Sequence, residues 1–450
     1  MKIGSLARAI ERITVRTLMA KLNFNEAGVP AFSLPNPLLR PTGKEIRDSV
    51  DWHPMQRSEI LHLFEDHVYG ISPRKFGQLE FTITRHESNA LQGLAVLKEI
   101  DLTFPSVGAK PTIHVLLLVP KLPPKPVPAI LGLNFLGNHT IHPDSHISIQ
   151  KQWHASSRYS RAREVSPSPH TRGVDCSRWP VKALLDRGYA VATAYYGDLE
   201  PDFPGGWRYG IRSVSPRQLT DLRNSNPSFL FSLKERSTGH AGPAWSLPND
   251  WGAIAVWAWG VSRIMDYLVH DPDIMPSRVV LTGHSRLAKT ALWAGALDER
   301  FSIVVANNSG CGGAALSRRR FGETIKLLNQ VRPHWFCRNF KNYNDKEHEL
   351  PVDQHMLIGL IAPRPVYIAS AAEDLAADPR GEYLAAWEAG KVYNLFGLTG
   401  LGVEKMPGLN EPVGAAIGYH IRSGPHGITD YDWTQFIRFA DRHFGRSALD

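Results

Sequence analysis

Cysteine is scarce in this sequence, whose 450 residues include only Cys176, Cys311 and Cys337. Three cysteines are too few for a disulfide scaffold, and their spacing is not that of a metal site. The fold must therefore rest on a hydrophobic core. The composition supplies one, because 43% of the residues are hydrophobic and 10% are aromatic, as in ordinary folded proteins.

Long apolar runs are also absent. The most apolar segments, residues 113–119 and 253–261, are far shorter than the roughly 20 residues that span a bilayer. Near the N-terminus, Arg8, Glu11 and Arg12 interrupt any apolar region that a signal peptide would need. We therefore expect no membrane segment, and the sequence shows no export signal.

No part of the chain is densely basic, although the formal net charge is +8. Lysine and arginine are scattered, and the densest cluster is the short run from Arg318 to Arg320. Nucleic-acid-binding domains concentrate basic residues on one face or along one helix. We expect no nucleic-acid partner, whereas an anionic substrate is compatible with the positive charge.

Short apolar segments recur along the chain and alternate with helical patterns in its second half. Helical patterns cover residues 251–269 and 289–297, and such alternation predicts a mostly parallel sheet with helices on both faces. We predict a basic N-terminal extension over residues 1–22 and a single α/β catalytic domain over residues 23–450. The predicted strands lie at residues 79–85, 113–119, 129–137, 189–197, 278–283, 301–307 and 364–370.

The sharpest local signal is a buried strand that runs into Gly283, His284 and Ser285 and continues directly as a helix. A serine at such a turn exposes its hydroxyl at the carboxyl end of the sheet, beside backbone N–H groups that can face an oxyanion. Leu287 replaces the closing glycine of the usual G-x-S-x-G pattern. The segment favours a nucleophile elbow, and the alternative is an ordinary turn with a capping serine.

A nucleophilic serine needs a base and an acid, which in this type of fold follow it along the chain. The predicted strand 364–370 leads to Glu373 and Asp374, which places a carboxylate near the carboxyl end of the sheet. His426 lies in a loop before the helical pattern 433–444 and is the best-placed base. The competing histidines are His334, His355, His420 and His443.

Together these residues resemble the glucuronoyl esterases, carbohydrate esterase family fifteen, and especially its bacterial branch. The likeness runs from about Phe24 to the C-terminus, and an elbow of the form Ser-Arg-x-x-Lys followed by Ser-Gly-Cys-Gly-Gly is typical of that family. The matching segments are residues 283–289, 308–318, 320–324, 369–374, 377–382 and 419–426, with further similarity at 133–139 and 195–198.

The resemblance implies an α/β-hydrolase fold, a three-layer sandwich, and a serine esterase that cleaves esters of (4-O-methyl-)glucuronic acid in glucuronoxylan–lignin linkages. No metal or cofactor is implied, and we expect a monomer. The resemblance also implies a secreted or periplasmic protein, although no signal peptide is visible in the sequence. The implied roles are nucleophile for Ser285, base for His426, acid for Asp374, oxyanion stabilisation for Arg286, and binding of the sugar hydroxyls for Lys289 and Glu323.

One of these roles has independent support, because Ser285 and Lys289 are four residues apart on one predicted helix and share a face. The sequence also departs from the family. Ala288 replaces a glycine, and Ala376 stands where many bacterial relatives carry a sugar-stacking tryptophan. Fungal members place their acid where this chain has Asn308, so we expect the acid to come from the later strand.

Two alternatives stay open at this point. The chain could be another carboxylester hydrolase acting on xylan, such as an acetyl or feruloyl esterase, or an inactive hydrolase-fold protein that binds carbohydrate. We also predict a disulfide between Cys311 and Cys337, which lie at either end of a motif-rich loop.

Overall fold

The computed structural model describes residues 19–40, 42–73, 79–104, 111–154, 162–213 and 247–446. Most strands of this part belong to one ten-stranded sheet, and two short strands form a separate pair. The strands are β1 (Glu80–Asn89), β2 (Ala95–Thr103), β3 (Ile113–Pro120), β4 (Val127–Asn134), β5 (Gln152–His154), β6 (Arg163–Val165), β7 (Ala190–Tyr195), β8 (Ile274–His284), β9 (Ile303–Asn307), β10 (Val366–Ala371), β11 (Val413–Gly414) and β12 (Ile417–Arg422).

The order in the large sheet is β1-β2-β3-β7-β4-β8-β9-β10-β12-β11. Strands β7, β4, β8, β9, β10 and β12 run parallel to one another, whereas β1, β2 and β3 on one side and β11 on the other are antiparallel to their neighbours. The carboxyl ends of the parallel strands therefore meet at one edge, where ligands bind in open α/β sheets.

Helices cover both faces of the sheet. Strand β9 shows the division, because Val304 packs into one hydrophobic cluster while Ile303 and Val305 pack into the other, as the two-residue period of a strand requires. The α-helices are α1 (Ser49–Asp51), α2 (Ser58–Phe64), α3 (Ala90–Gly93), α4 (Val181–Asp186), α5 (Tyr196–Leu199), α6 (Ala253–Leu268), α7 (Arg286–Leu297), α8 (Ile325–Val331), α9 (Gln354–Gly359), α10 (Pro379–Leu395) and α11 (Asp430–His443).

The predicted three-layer α/β architecture is confirmed, and each of the seven predicted strand segments contains a strand. Strand β2 was not predicted, because it contains Lys98 and Glu99, and charged residues are usually exposed. In the fold both are buried, and Lys98 Nζ donates to both carboxylate oxygens of Asp271 at 2.8 Å. Most of the predicted N-terminal extension lies outside the described residues.

The predicted Cys311–Cys337 disulfide is wrong, because all three cysteines are free. The Cys337 thiol donates to the carbonyl of Asp66 at 3.7 Å. The backbone of Cys311 forms an isolated β-bridge with that of Ala315. Burial raises the pKa of both thiols, which keeps them protonated and unreactive. In the described part of the chain, no helix is long and apolar enough to cross a membrane.

Candidate active site

Ser285 lies between the end of β8 and the start of α7 with φ 58° and ψ −127°. A non-glycine residue with positive φ is strained, and such strain is often found at functional turns. The turn is tight, since a Cβ on Gly283 would lie 2.1 Å from the carbonyl oxygen of Leu287. The N–H of Ser285 donates to the carbonyl of Asn307 at 2.9 Å, which ties the turn to the adjacent strand.

His426 and Asp374 are in direct contact. His426 Nδ1 lies 2.6 Å from Asp374 Oδ2, and the same oxygen accepts a hydrogen bond from Asn308 Nδ2 at 3.0 Å. Burial by itself would raise the pKa of Asp374, but the hydrogen bond and charge of His426 outweigh it and lower that pKa. Asp374 is thus an ionised partner for the imidazole, while the neighbouring Glu373 is exposed.

The second nitrogen of His426 is left for other partners, because Nδ1 is engaged by Asp374. The side chain is 44% exposed, so its outer edge can reach a substrate. Its ring lies against that of His284, with 4.7 Å between the centroids. His284 immediately precedes Ser285, and this ring contact brings the His426 loop to the elbow.

The guanidinium of Arg286 contacts the carboxylate of Asp202, a residue that the sequence analysis did not predict to be part of the site. Arg286 Nη1 donates to Asp202, which also accepts hydrogen bonds from Trp335 Nε1 at 2.7 Å and His334 Nε2 at 2.8 Å. Burial would lower the pKa of Arg286, but Asp202 and Tyr196 raise it, so the guanidinium stays charged. Its Nε is buried and has no hydrogen-bond partner among the described residues.

Lys289 and Glu323 face each other, with 3.9 Å between Nζ and Oε2. The Lys289 side chain is only 4% exposed, and its ammonium donates to the carbonyl of Ser309. The same ammonium lies 5.9 Å from the centroid of the Trp335 ring. The structure thus brings the two predicted sugar-binding residues together one helical turn from Ser285.

A fully buried carboxylate, Glu382, holds the loop that carries Ser309. One of its oxygens accepts from the Ser309 and Gly310 N–H groups and the Ser309 hydroxyl at 2.7–2.9 Å, and the other accepts from Ser370 Oγ at 2.6 Å. Burial raises the pKa of Glu382 to about 7. Because the Ser309 carbonyl receives the Lys289 ammonium, Glu382 indirectly fixes that lysine.

The competing histidines have other partners. His334 contacts Asp202, His355 Nε2 contacts the carbonyl of Pro35, and His443 Nε2 contacts the carbonyl of Ala415. His420 is fully buried against Asp432. Within the described residues, no group of three or more His, Cys, Asp or Glu side chains could hold a metal ion.

Sequence reasoning missed Asp202, Trp335 and Glu382 as contributors to this site, and it considered His334 only as a competing base. Asp202 follows a short helix and Trp335 lies in a loop, and neither carried a local pattern that linked it to Ser285. Among the three missed residues, Glu382 alone had a signal in the sequence, because it is the last residue of segment 377–382, which resembles the family.

Comparison with known proteins identifies the family of this chain. A family model described as fungal glucuronyl esterase matches residues 230–397. The carbohydrate esterase MZ0003 from an unknown prokaryotic organism is 42% identical over 426 residues, 95% of this chain and 93% of that protein. A glucuronoyl esterase structure from Solibacter usitatus has 43% identity and a TM-score of 0.82, covering 93% of this chain and 100% of that one. This chain is a member of the glucuronoyl esterase family.

As a glucuronoyl esterase, the chain is a carboxylic ester hydrolase with the α/β-hydrolase fold, and both predictions are confirmed. It also matches the 4-O-methyl-glucuronoyl methylesterase 1 of Phanerochaete chrysosporium, with 40% identity over 186 residues, 39% of this chain and 37% of that protein. In this glucuronoyl esterase Ala376 offers no ring to a sugar, and its carbonyl instead accepts the N–H of Glu323 at 2.8 Å.

Proposed function

We propose that this glucuronoyl esterase hydrolyses esters of (4-O-methyl-)glucuronic acid at the C6 carboxyl group, as in linkages between glucuronoxylan and lignin alcohols. The name of its fungal relative, a 4-O-methyl-glucuronoyl methylesterase, supports this class of substrate. The observation that carries the proposal is the 2.6 Å contact between His426 and Asp374. The loop that holds His426 packs against His284, next to the strained turn at Ser285.

In the proposed mechanism, His426 Nε2 accepts the proton of Ser285 Oγ as that oxygen attacks the C6 carbonyl carbon. Asp374 orients the ring through Nδ1 and stabilises the imidazolium. When the tetrahedral intermediate collapses, His426 returns the proton to the oxygen of the leaving alcohol. A water molecule, deprotonated by the same nitrogen, then attacks the acyl-enzyme. His426 passes that proton to Ser285 Oγ as the second tetrahedral intermediate collapses, which releases the glucuronic acid product and restores the serine hydroxyl.

Arg286 would stabilise the developing oxyanion. Its backbone N–H belongs to the first residue of α7, and the first N–H groups of a helix lack partners within the helix. Its charged guanidinium is anchored by Asp202, and the Nε–H, which no described residue accepts, is a further donor. Loss of one oxyanion donor typically lowers turnover by about 10²- to 10³-fold.

Lys289 and Glu323 would recognise the hydroxyls of the uronic acid ring. An ammonium can only donate hydrogen bonds and a carboxylate can only accept them, so the pair offers both kinds of partner 3.9 Å apart. Neither side chain needs to contact the reacting carbonyl. Acetyl and feruloyl groups have no ring hydroxyls of this kind, which is why the pair favours a glucuronate ester over those alternatives.

Hydrolysis of benzyl glucuronate by the purified protein tests the proposal, with acetylated xylan and methyl ferulate as competing substrates. We expect the highest kcat/KM on the glucuronate ester and complete loss of turnover in Ser285→Ala, whose melting temperature should match the unaltered enzyme because the serine contributes little packing. A phosphonate serine reagent should label the unaltered enzyme only. Faster hydrolysis of acetylated xylan or methyl ferulate would defeat the proposal.

A further inference from the structure

A second carboxylate, Asp432, lies fully buried in the first turn of α11 and contacts the loop that carries His426. Its Oδ2 accepts the N–H and hydroxyl of Thr429, each at 2.7 Å, and Arg422 Nε at 2.8 Å. Its Oδ1 accepts His420 Nε2 at 2.9 Å and Asn307 Nδ2 at 3.3 Å. So many donors around one buried carboxylate require it to be ionised.

The first arm of this arrangement is Arg422, at the end of β12. While Nε contacts Asp432, the other guanidinium nitrogens donate to the carbonyls of Ser423 at 2.8 Å, Pro425 at 3.1 Å and Gly427 at 2.8 Å. These carbonyls lie on both sides of His426 in the chain. A planar guanidinium can satisfy several acceptors at fixed angles, which an ammonium cannot do, so Arg422 sets the path of this loop.

The second arm is Asn307, at the end of β9. Because ionised Asp432 can only accept hydrogen bonds, the Asn307 amide must turn its NH₂ group to Asp432 and its oxygen to His284. Asn307 Oδ1 lies 2.6 Å from His284 Nδ1, so that nitrogen must carry the proton. Burial, with the charge of His426 second, lowers the pKa of His284 to about 3, which keeps its ring neutral.

We propose that Asp432 is a positioning residue for His426, acting through Arg422 on the loop and through Asn307 on the His284 ring, which packs 4.7 Å from His426. The inference rests on the proposed function, in which His426 is the base. The two arms act from different directions, since one fixes the backbone on both sides of His426 and the other fixes the ring beside it. His420 is not a second base, because it is fully buried and its Nδ1 faces the Tyr367 hydroxyl at 3.0 Å.

Two variants test the arms separately. Arg422→Lys keeps the positive charge near Asp432 but loses most of the carbonyl contacts, and Asn307→Leu removes the side-chain link while leaving the backbone carbonyl that receives the Ser285 N–H. We expect each to lower kcat on benzyl glucuronate by about 10- to 100-fold with little change in KM, because misplacing a catalytic group by about 1 Å can cost about 10²-fold.

Arg364→Lys is the matched control. Arg364 also donates to three backbone carbonyls, those of Gly295, Asp298 and Phe301, at 2.6–3.1 Å, but it makes none of the contacts to the His426 loop. We expect this control to lower the melting temperature without lowering kcat. An equal loss of kcat in the control would overturn the proposal, since general loosening would then explain the effect.

The tautomer of His284 can be measured directly, without relying on a change in kcat. In enzyme labelled with ¹⁵N-histidine, with His284 assigned by its absence in His284→Phe, we expect the Nδ1–H form. The Nε2–H form would contradict the proposed action of Asp432 through Asn307 on His284. If both variants fail to fold, this result still tests the contact between Asn307 and His284. If only Arg422→Lys fails to fold, the kcat of Asn307→Leu, which leaves no buried charge without a partner, tests the proposal.

The proposed function and this inference fail differently. An unaltered enzyme inactive on benzyl glucuronate, or a His426→Ala variant that retains turnover, would defeat the proposed function. If the unaltered enzyme is active and His426→Ala is not, while folded Arg422→Lys and Asn307→Leu keep full kcat, the positioning role of Asp432 is wrong and the proposed function stands.

Discussion

His426 contacts Asp374 and not its neighbour Glu373. The 2.6 Å distance joins His426 Nδ1 to Asp374 Oδ2, whereas Glu373 is exposed and meets the same loop through its backbone N–H, which donates to the carbonyl of Gly424 at 3.1 Å. Adjacent residues in the chain thus make different contacts with the same loop. This difference leads to a direct test of the proposed acid.

We expect Asp374→Asn to lower turnover by about two to four orders of magnitude, because an amide can orient an imidazole but cannot stabilise the imidazolium. The matched control is Glu373→Gln, the same loss of charge one residue earlier, which should have little effect. Steady-state kcat on benzyl glucuronate measures both. If Glu373→Gln is the damaging change, the assignment is wrong.

Asn308 offers a rescue of the Asp374→Asn variant. Its Nδ2 lies 3.0 Å from Asp374 Oδ2, so a carboxylate introduced by Asn308→Glu could approach His426. Asn308 has φ 48°, a conformation that asparagine tolerates better than glutamate, so we expect only partial recovery of kcat in the double variant. A double variant no faster than Asp374→Asn would exclude the rescue.

Lys289→Met should weaken hydrolysis of glucuronate esters much more than that of a simple aryl acetate. The ammonium is proposed to contact ring hydroxyls, which the acetate lacks, so its loss removes binding that only the sugar uses. The ratio of kcat/KM for the two substrates is the measurement. Lys326→Met serves as the control, since Lys326 is exposed and pairs with Asp345. Equal losses on both substrates would contradict the assigned contact.

The stability of the protein should depend on pH through His284. Burial and then His426 lower its pKa to about 3 in the folded state, against about 6.5 when unfolded. Between these values the unfolded chain binds more protons, so the contribution of His284 to stability is present above about pH 6.5 and is lost as the pH falls towards 3.

We therefore expect His284→Phe to reduce the slope of the unfolding free energy against pH by up to about 1.4 kcal/mol per pH unit between about pH 4 and 6. Denaturant titrations at several pH values measure this slope. His348→Phe is the control, because the His348 side chain is 77% exposed and should leave the slope unchanged. An unchanged slope in His284→Phe would show that the ring is not held neutral.

Thiol counting should find three free cysteines after denaturation without a reductant, since Cys176, Cys311 and Cys337 are all free. In the native protein only the exposed Cys176 should react rapidly, because the other two thiols are buried and their pKa values are raised. Fewer than three thiols in the denatured chain would indicate a disulfide.

The sequence by itself determined the local features of this protein. Every strand of the parallel block except β12, and the turn at Ser285, were visible because burial pattern and turn geometry depend on residues close together in the chain. The same local patterns, with the resemblance to a family, indicated Ser285, His426 and Asp374, whose roles stay predictions. Strand β2 was missed because the partner that makes burial of Lys98 tolerable, Asp271, lies 173 residues away.

Only the tertiary structure decided which side chains meet. It brought Asp202 to Arg286 across 84 residues of chain, placed Asp374 rather than Glu373 against His426, and left Cys311 and Cys337 unpaired. The physical reason is that such contacts form where the carboxyl ends of parallel strands converge. Which side chains meet there depends on the strand order, on the paths of the loops and on the cost of burying paired charges. None of these can be read from a short stretch of chain.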